Sequence, residues 1–193
     1  MDKNRVIEFF DHCAEHWDDN VEQNDNIIST ILTLGGVRQG IDLLDVACGT
    51  GVLFPKYIRH GVGSITAIDI SPEMVKKATE KFPEINIICD DVETHNFDRQ
   101  FDVIMVYNAF PHFPDPVRLI QTLAQHTKPG GRLSVAHSLS RSELIMHHNS
   151  YAKDVSIELL HEQQLAEIFS SWFDVDVIIS TDSMYQVSGI RRF

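Results

Sequence analysis

The chain has 193 residues and a formal net charge of −12, and its length suits one compact domain spanning residues 1–193. The acidic balance argues against a nucleic-acid-binding surface and against attraction to an anionic membrane, because both need surplus Lys and Arg. We therefore expect a small-molecule partner, with no nucleic acid and no membrane. The sequence carries no signal for the oligomeric state.

The cysteines and the N-terminus indicate a reducing, cytoplasmic location. Cys13, Cys48 and Cys89 are odd in number and lack metal-finger spacing, which disfavours a disulfide framework. The first residues carry charges in place of an apolar signal-peptide core, and no apolar run reaches transmembrane length.

Helical segments and apolar strand-like runs alternate along the chain. Residues 1–38 are predicted as a helical cap, in which VIEFFDHCAEHW presents an apolar side. The strand-like runs that follow are 43–47, 64–69, 85–89, 102–106 and 132–136. Such alternation predicts a parallel sheet with helices on both faces.

Local signals mark the helices between these runs. Ser71 and Pro72 start one helix, which should end before Pro83. Pro116 opens another, and the Pro-Gly-Gly sequence at 129–131 is predicted to stop it.

The last part of the chain is predicted to form a lid and a hairpin. Residues 138–160 are irregular or short helix, and residues 161–172 are predicted as helix. VDVIIS and MYQVSGIRR are two strands joined by a tight turn, so we expect an antiparallel hairpin at the sheet edge.

The stretch LLDVACGTG, residues 43–51, predicts a ligand-binding turn. A buried strand here meets Gly49 and Gly51 before a helix, and such a turn exposes backbone N–H groups to a ligand. Asp69 ends the next strand 20 positions after Gly49, where a carboxylate can accept from both ribose hydroxyls of an adenosine. Asp91 follows the third strand, within reach of an adenine amino group.

The same turn disfavours phosphate-containing ligands. The dinucleotide fingerprint needs a third glycine where this chain has Phe54, and no Lys-Ser/Thr pair follows the turn as in a P-loop. Asp45 would repel a pyrophosphate, whereas a cationic ligand would be attracted. A nicotinamide dehydrogenase is therefore only a third-ranked interpretation.

Five segments in order resemble the motifs of the class I S-adenosylmethionine-dependent methyltransferases over nearly the whole chain. They are LLDVACGTG, AIDIS, CDDVE, FDVIMVYNAF and LAQHTKPGGRL. Ala47 is a departure, because that position is commonly glycine in the family. The resemblance implies S-adenosyl-L-methionine as cofactor and a Rossmann-like, doubly wound α/β fold whose seven-stranded sheet is mostly parallel with an antiparallel last strand.

The resemblance also implies a set of cofactor-binding residues. Asp69 is implied at the ribose, Ile70 or Met74 at the adenine faces, Asp91 and Val92 at the adenine edge, and Asn108 at the methionine end. The predicted cofactor-binding residues are together Asp45, Ala47, Gly49, Gly51, Asp69, Ile70, Met74, Asp91, Val92 and Asn108. The N-terminal helix resembles the family's cap over the cofactor, which implies Trp17 at the pocket rim.

Two histidines follow strand ends on the expected substrate side. His112 lies in NAFPHFPD and His137 ends the 132–136 run, so each is a candidate base for an oxygen acceptor. Residues 138–160 are the predicted lid. With His148 from that segment, His112 and His137 could alternatively bind a divalent metal such as zinc, iron or nickel; separate polar contacts are the simpler interpretation.

These observations favour methyl transfer to a small molecule. A sulfonium carries an electrophilic methyl group, so the protein chiefly needs to hold an acceptor in line and exclude water. The alternative is a non-catalytic protein that binds the cofactor or a metal for regulation.

Overall fold

The structure is a computed structural model that describes residues 2–19, 24–147 and 152–193, with His147 described by its backbone alone. Across these residues seven strands form one sheet in the order β3-β2-β1-β4-β5-β7-β6. The strands are β1 Asp42–Val46, β2 Ser64–Asp69, β3 Asn86–Cys89, β4 Phe101–Tyr107, β5 Thr127–His137, β6 Phe173–Ser180 and β7 Tyr185–Arg191.

Helices cover the sheet, and the first of them forms a cap. In chain order they are α1 Lys3–Cys13, α2 Asp25–Leu34, α3 Phe54–Arg59, α4 Pro72–Lys81, α5 Pro116–His126, α6 Arg141–His147 and α7 Glu162–Phe169. Short 3-10 turns lie at Ala14–His16, Phe110–His112 and Lys153–Val155. No helix within the described ranges has the length and apolar character to cross a bilayer.

The strand directions confirm the predicted fold. β1 to β5 pair in parallel, and β7 runs antiparallel between β5 and β6. β1 lies between β2 and β4, so the chain changes direction across the sheet at this point. Ligands of open α/β sheets bind at the carboxyl ends of the strands beside such a switch point.

Helix signals in the sequence correspond to observed caps. The Ser71 hydroxyl accepts from the Met74 N–H at 3.2 Å, and α4 ends at Lys81, before Pro83 as predicted. The Asp115 carboxylate caps α5 by accepting from the Arg118 N–H at 3.0 Å.

The end of α5 differs from the prediction. α5 stops at His126, and β5 begins at Thr127, five positions before the predicted strand start at 132. The reason is that Thr127 pairs with Phe101 on β4, whereas the next pair is Val103 with Arg132. The Pro-Gly-Gly sequence therefore forms a bulge within the strand, with Gly130 at φ 76°, and does not terminate the helix.

The glycine turn depends on a side-chain-free position, which gives a testable prediction. Gly51 has φ 83°, and a Cβ there would lie 2.6 Å from the Phe54 ring. Gly40 has a similar φ of 79°, but a Cβ there would meet no heavy atom of the described residues within 4 Å. We expect Gly40→Ala to lose about 1–2 kcal/mol of unfolding free energy from backbone strain, and Gly51→Ala to lose roughly 1–3 kcal/mol more from overpacking.

Urea unfolding of the two variants measures this difference. Equal losses would show that the Phe54 ring, which also packs edge-on against Phe82, yields without cost.

Candidate active site

A cavity of about 390 Å³ opens at the carboxyl ends of the strands and is covered by α1. Its size is within the range of about 300–1,000 Å³ that is typical of small-molecule sites. The predicted cofactor residues on its wall are Ala47, Gly49, Asp69, Ile70, Met74, Asp91, Val92 and Asn108. The structure thus brings eight of the ten predicted residues together on one surface.

Asp69 is fixed between the glycine turn and the start of α4. One carboxylate oxygen accepts from the Gly49 N–H at 2.8 Å, and the other accepts from the Ser71 N–H at 2.9 Å. Burial raises the pKa of this carboxyl, while the backbone donors of Ser71, Gly49 and Ile70 act in the opposite direction. Each carboxylate oxygen has a further lone pair, so Asp69 can also accept from two hydroxyl groups of a ligand.

The turn after β1 has left-handed backbone geometry at three positions, Ala47, Gly49 and Gly51. Ala47 and Gly49 have φ 54°, and both line the cavity. Ala47 therefore adopts a conformation that favours glycine, which gives a physical reason for the glycine commonly present there in the family. A methyl group is accommodated at this position of the wall.

Asp45 and Gly51 lie outside the cavity wall. Asp45 is 3% exposed on β1, and its burial raises its pKa to about 8, with the Tyr57 hydroxyl opposing the shift and the Asp69 charge adding to it. Asp45 is therefore not part of the cavity wall, where the predicted direct contact with a cationic ligand would require it. With a pKa of about 8, the Asp45 carboxyl is mostly uncharged at neutral pH, so it would not attract a cationic ligand by its charge.

Asn108 joins the ends of β4 and β5. Its side-chain amide donates to the Ser138 hydroxyl at 3.1 Å, and its amide oxygen accepts from the Ser138 N–H at 3.0 Å. Asn108 itself has φ 53°, a conformation that Asn tolerates better than most residues. Both residues line the cavity, so this clamp fixes the wall at the ends of β4 and β5.

The N-terminal cap is anchored over the cavity by polar contacts. Asp11 accepts from the Ser71 hydroxyl at 2.5 Å and from the Glu73 N–H at 3.1 Å. Asp18 accepts from the Thr50 hydroxyl at 2.7 Å and from Lys81 at 2.8 Å. Trp17 lies on the cavity wall and is 40% exposed, which places it at the rim as predicted.

The predicted adenine end of the cavity contains two residues that the sequence analysis missed. The Lys3 ammonium group bridges Asp91 and Glu93, and the Glu93 side chain is only 2% exposed. Asp91 also accepts from the Glu93 N–H at 3.0 Å. Glu93 belongs to the DDVE sequence at the end of the third strand, so its nearness to the cavity could have been predicted. No local pattern indicates Lys3, which is 88 positions from Asp91.

His112 lies on the cavity wall with its ring orientation fixed from two sides. Its Nδ1 is 2.8 Å from the Val155 carbonyl oxygen, which can only accept, so Nδ1 carries a proton. The Phe10 ring meets the imidazole edge-on at 4.8 Å. In the neutral ring Nε2 is therefore the proton-accepting nitrogen.

His137 has a different environment, which corrects one prediction. It is fully buried at the end of β5 and lies 6.0 Å from the Tyr185 ring, away from the cavity wall. The β5 register turns this side chain into the sheet packing, so the structure does not support His137 as a base or as a partner of His112.

The predicted metal centre is also not assembled by the described part of the chain. Residues 2–19, 24–147 and 152–193 contain no group of three His, Cys, Asp or Glu side chains arranged for a metal ion. His148 lies outside the described residues. His112 and His137, the two predicted ligands that the structure describes, do not fit one metal site, because His137 is buried away from the cavity that His112 lines.

Part of the predicted lid packs against the cap. Ala152 and Val155 form a small apolar cluster with Val6, and the Ile157 N–H donates to the Pro111 carbonyl at 2.8 Å. The 152–157 segment, α1 and the Phe110–His112 turn therefore meet beside His112.

The buried Asp45 carboxyl leads to a prediction on pH. Its folded-state pKa of about 8 lies above its ordinary value of 3.8, so unfolding releases its proton between these values, and stability falls as pH rises through that window. We expect Asp45→Asn to remove this component and to be more stable than the wild type by about 2–5 kcal/mol at the upper end of the window. Thermal unfolding across the window tests this, and parallel curves for the two proteins would contradict it.

Known proteins are similar to this chain over the region that contains the glycine turn and Asp69. Residues 44–135 match a family model described as a methyltransferase domain. Malonyl-(acyl-carrier protein) O-methyltransferase 1 of Ilyobacter polytropus is 30% identical over 139 residues, which are 69% of this chain and 52% of that protein. Ubiquinone biosynthesis O-methyltransferase of Coxiella burnetii is 31% identical over 143 residues, 69% of this chain and 61% of that protein.

The chain thus spans about half to three fifths of the length of these curated relatives. A solved structure of magnesium protoporphyrin IX methyltransferase from Synechocystis PCC 6803, with S-adenosylhomocysteine bound, has the same fold. Its TM-score is 0.74 at 17% identity, with 99% of this chain and 100% of that chain covered. The solved structure shows the shared fold, while the strand-end motifs, the domain match over residues 44–135 and the relatives at 30–31% identity identify this chain as a member of the class I S-adenosylmethionine-dependent methyltransferase family.

Proposed function

We propose that this protein is an S-adenosyl-L-methionine-dependent methyltransferase that acts on a small-molecule acceptor by in-line methyl transfer. The observation that carries the proposal is the Asp69 carboxylate, held on the cavity wall by the Gly49 N–H at 2.8 Å. It is a fixed acceptor for ribose hydroxyls beside a turn with exposed backbone. Among the described residues, no group of three His, Cys, Asp or Glu side chains is arranged to hold a metal ion.

The chain's residues would chiefly orient and enclose the reactants. The cofactor supplies an electrophilic methyl group on a sulfonium, so catalysis depends on positioning and on exclusion of water. Asp69 would orient the ribose, and Asp91 and Val92 would contact the adenine edge. The anchored cap, through Asp11 and Asp18, covers the cavity against water.

His112 is the residue that would accept a proton from an oxygen acceptor. Its protonated Nδ1 is committed to the Val155 carbonyl, which leaves Nε2 as the basic nitrogen of the neutral ring. Two curated relatives are O-methyltransferases by name, and this supports an oxygen acceptor for the present chain.

We expect Asp69→Ala to weaken binding of S-adenosylhomocysteine by roughly 10- to 100-fold, because hydrogen bonds to a charged group each contribute about 1.5–3 kcal/mol. Calorimetry measures the affinity, with Asp69→Asn as a second variant that keeps the side-chain volume. Asp182→Ala is the matched control, since Asp182 is exposed between β6 and β7 and lies outside the cavity wall. Equal affinity in wild type and Asp69→Ala would remove the ribose assignment.

Lys3 should control how quickly the cofactor leaves. Its ammonium group ties α1 to Asp91 and Glu93, so Lys3→Met should speed dissociation of S-adenosylhomocysteine by about tenfold, equivalent to about 1.4 kcal/mol. Added salt should accelerate dissociation in the wild type more than in the variant. Lys76→Met is the control, because Lys76 pairs with nearby Glu73 on the exposed side of α4. Stopped-flow displacement giving identical rates would contradict the role of Lys3.

A further inference from the structure

The cavity wall beneath the N-terminal cap carries a group of aromatic side chains. Trp17, Phe10 and His112 form a chain of rings, with centroid separations of 5.7 Å and 4.8 Å and edge-to-face geometry. Phe113, Tyr107 and Ser138 lie on the same wall. A flat ring can pack against such a wall in the offset-stacked or edge-to-face geometry that aromatic pairs prefer.

Beside these rings, the described part of the wall offers no Lys or Arg that is free of an acidic partner. Among the described residues that line the cavity, Lys3 is the single Lys or Arg, and its charge is compensated by Asp91 and Glu93 at the predicted adenine end. Residues 20–23 and 148–151, outside the described part, contain neither Lys nor Arg in the sequence.

The cations of the predicted lid also do not supply this charge. Arg141 donates to the Leu159 carbonyl and to Glu158, each at 2.9 Å. Lys153 is exposed and lies outside the cavity wall. A carboxylate acceptor would therefore lose its hydration without gaining a counter-ion, which is costly.

We propose that the acceptor is an uncharged aromatic compound with a ring hydroxyl group, and that His112 Nε2 takes the hydroxyl proton. This rests on the proposed function. The acceptor O–H proton moves to Nε2, an oxygen lone pair forms the new O–CH3 bond, and the S–CH3 bond breaks with its electron pair left on sulfur. The products are an aryl methyl ether, S-adenosylhomocysteine and protonated His112, which returns its proton to solvent.

Phenol, catechol, benzoate and aniline separate the acceptor classes, because they share one ring and differ in the reacting group. Saturation-transfer NMR with S-adenosylhomocysteine present measures their binding, and release of S-adenosylhomocysteine from S-adenosyl-L-methionine measures turnover. Phenol and catechol should bind and be methylated, with benzoate at least about tenfold poorer because its charge is unpaired. Preference for benzoate or aniline, or no binding of either hydroxyl compound, would overturn the proposal.

Two variants test the role of His112 as a base separately from the role of the aromatic wall in binding. His112→Gln should lower turnover of the hydroxyl compound by roughly 100-fold, the usual size of a general-base contribution, with unchanged affinity for S-adenosylhomocysteine. Phe10→Leu should weaken binding of the aromatic compound, whereas Phe9→Leu serves as the neighbouring control. Turnover by His112→Gln equal to the wild type would overturn the role of His112. If the wild type bound no S-adenosylhomocysteine, the proposed function itself would fail, independently of the acceptor class.

Discussion

The hydrogen bond from the Gly49 N–H to the Asp69 carboxylate is the contact on which the site depends. It joins the turn after β1 to the end of β2, and it forms because these strands pair in parallel with Val46 opposite Ile68. The next residues on each strand are then neighbours at the carboxyl edge. A rigid acceptor and an open backbone turn are therefore set side by side before any ligand binds, which lowers the ordering cost of binding.

The N-terminal cap over the cavity is held by a different kind of interaction from the wall that faces it. Residues of the opposite wall belong to the sheet and its turns. The cap is attached mainly through the polar side chains of Lys3 and Asp11 on α1, and of Asp18 just after the 3-10 turn that follows α1. Of α1, only Val6 is buried. A cap with so little buried apolar surface can open at modest cost compared with the core, because hydrophobic burial is the main source of cohesion in the protein interior.

The two candidate histidines show how far strand-end position predicts function. His112 and His137 each follow a strand end in the sequence, and both are equivalent candidates on that basis. In the structure, the 3-10 turn after β4 carries His112 onto the cavity wall, while His137 remains within the β5 ladder opposite Tyr185. The difference arises because a residue inside a ladder is constrained by its register, whereas a residue in the following turn is aimed by the loop.

The sequence by itself determined the sheet, its parallel order and most of the cofactor wall. Glycine positions, strand-end carboxylates and helix caps are local signals, and parallel pairing places successive strand ends together without further information. Only the tertiary structure decided that Asp45 lies behind the wall, that Lys3 reaches Asp91 across 88 positions, and that Val155 fixes the His112 tautomer. These features depend on how α1 and the 152–157 segment pack over the sheet, and contacts between elements distant in sequence leave no periodic pattern in the chain.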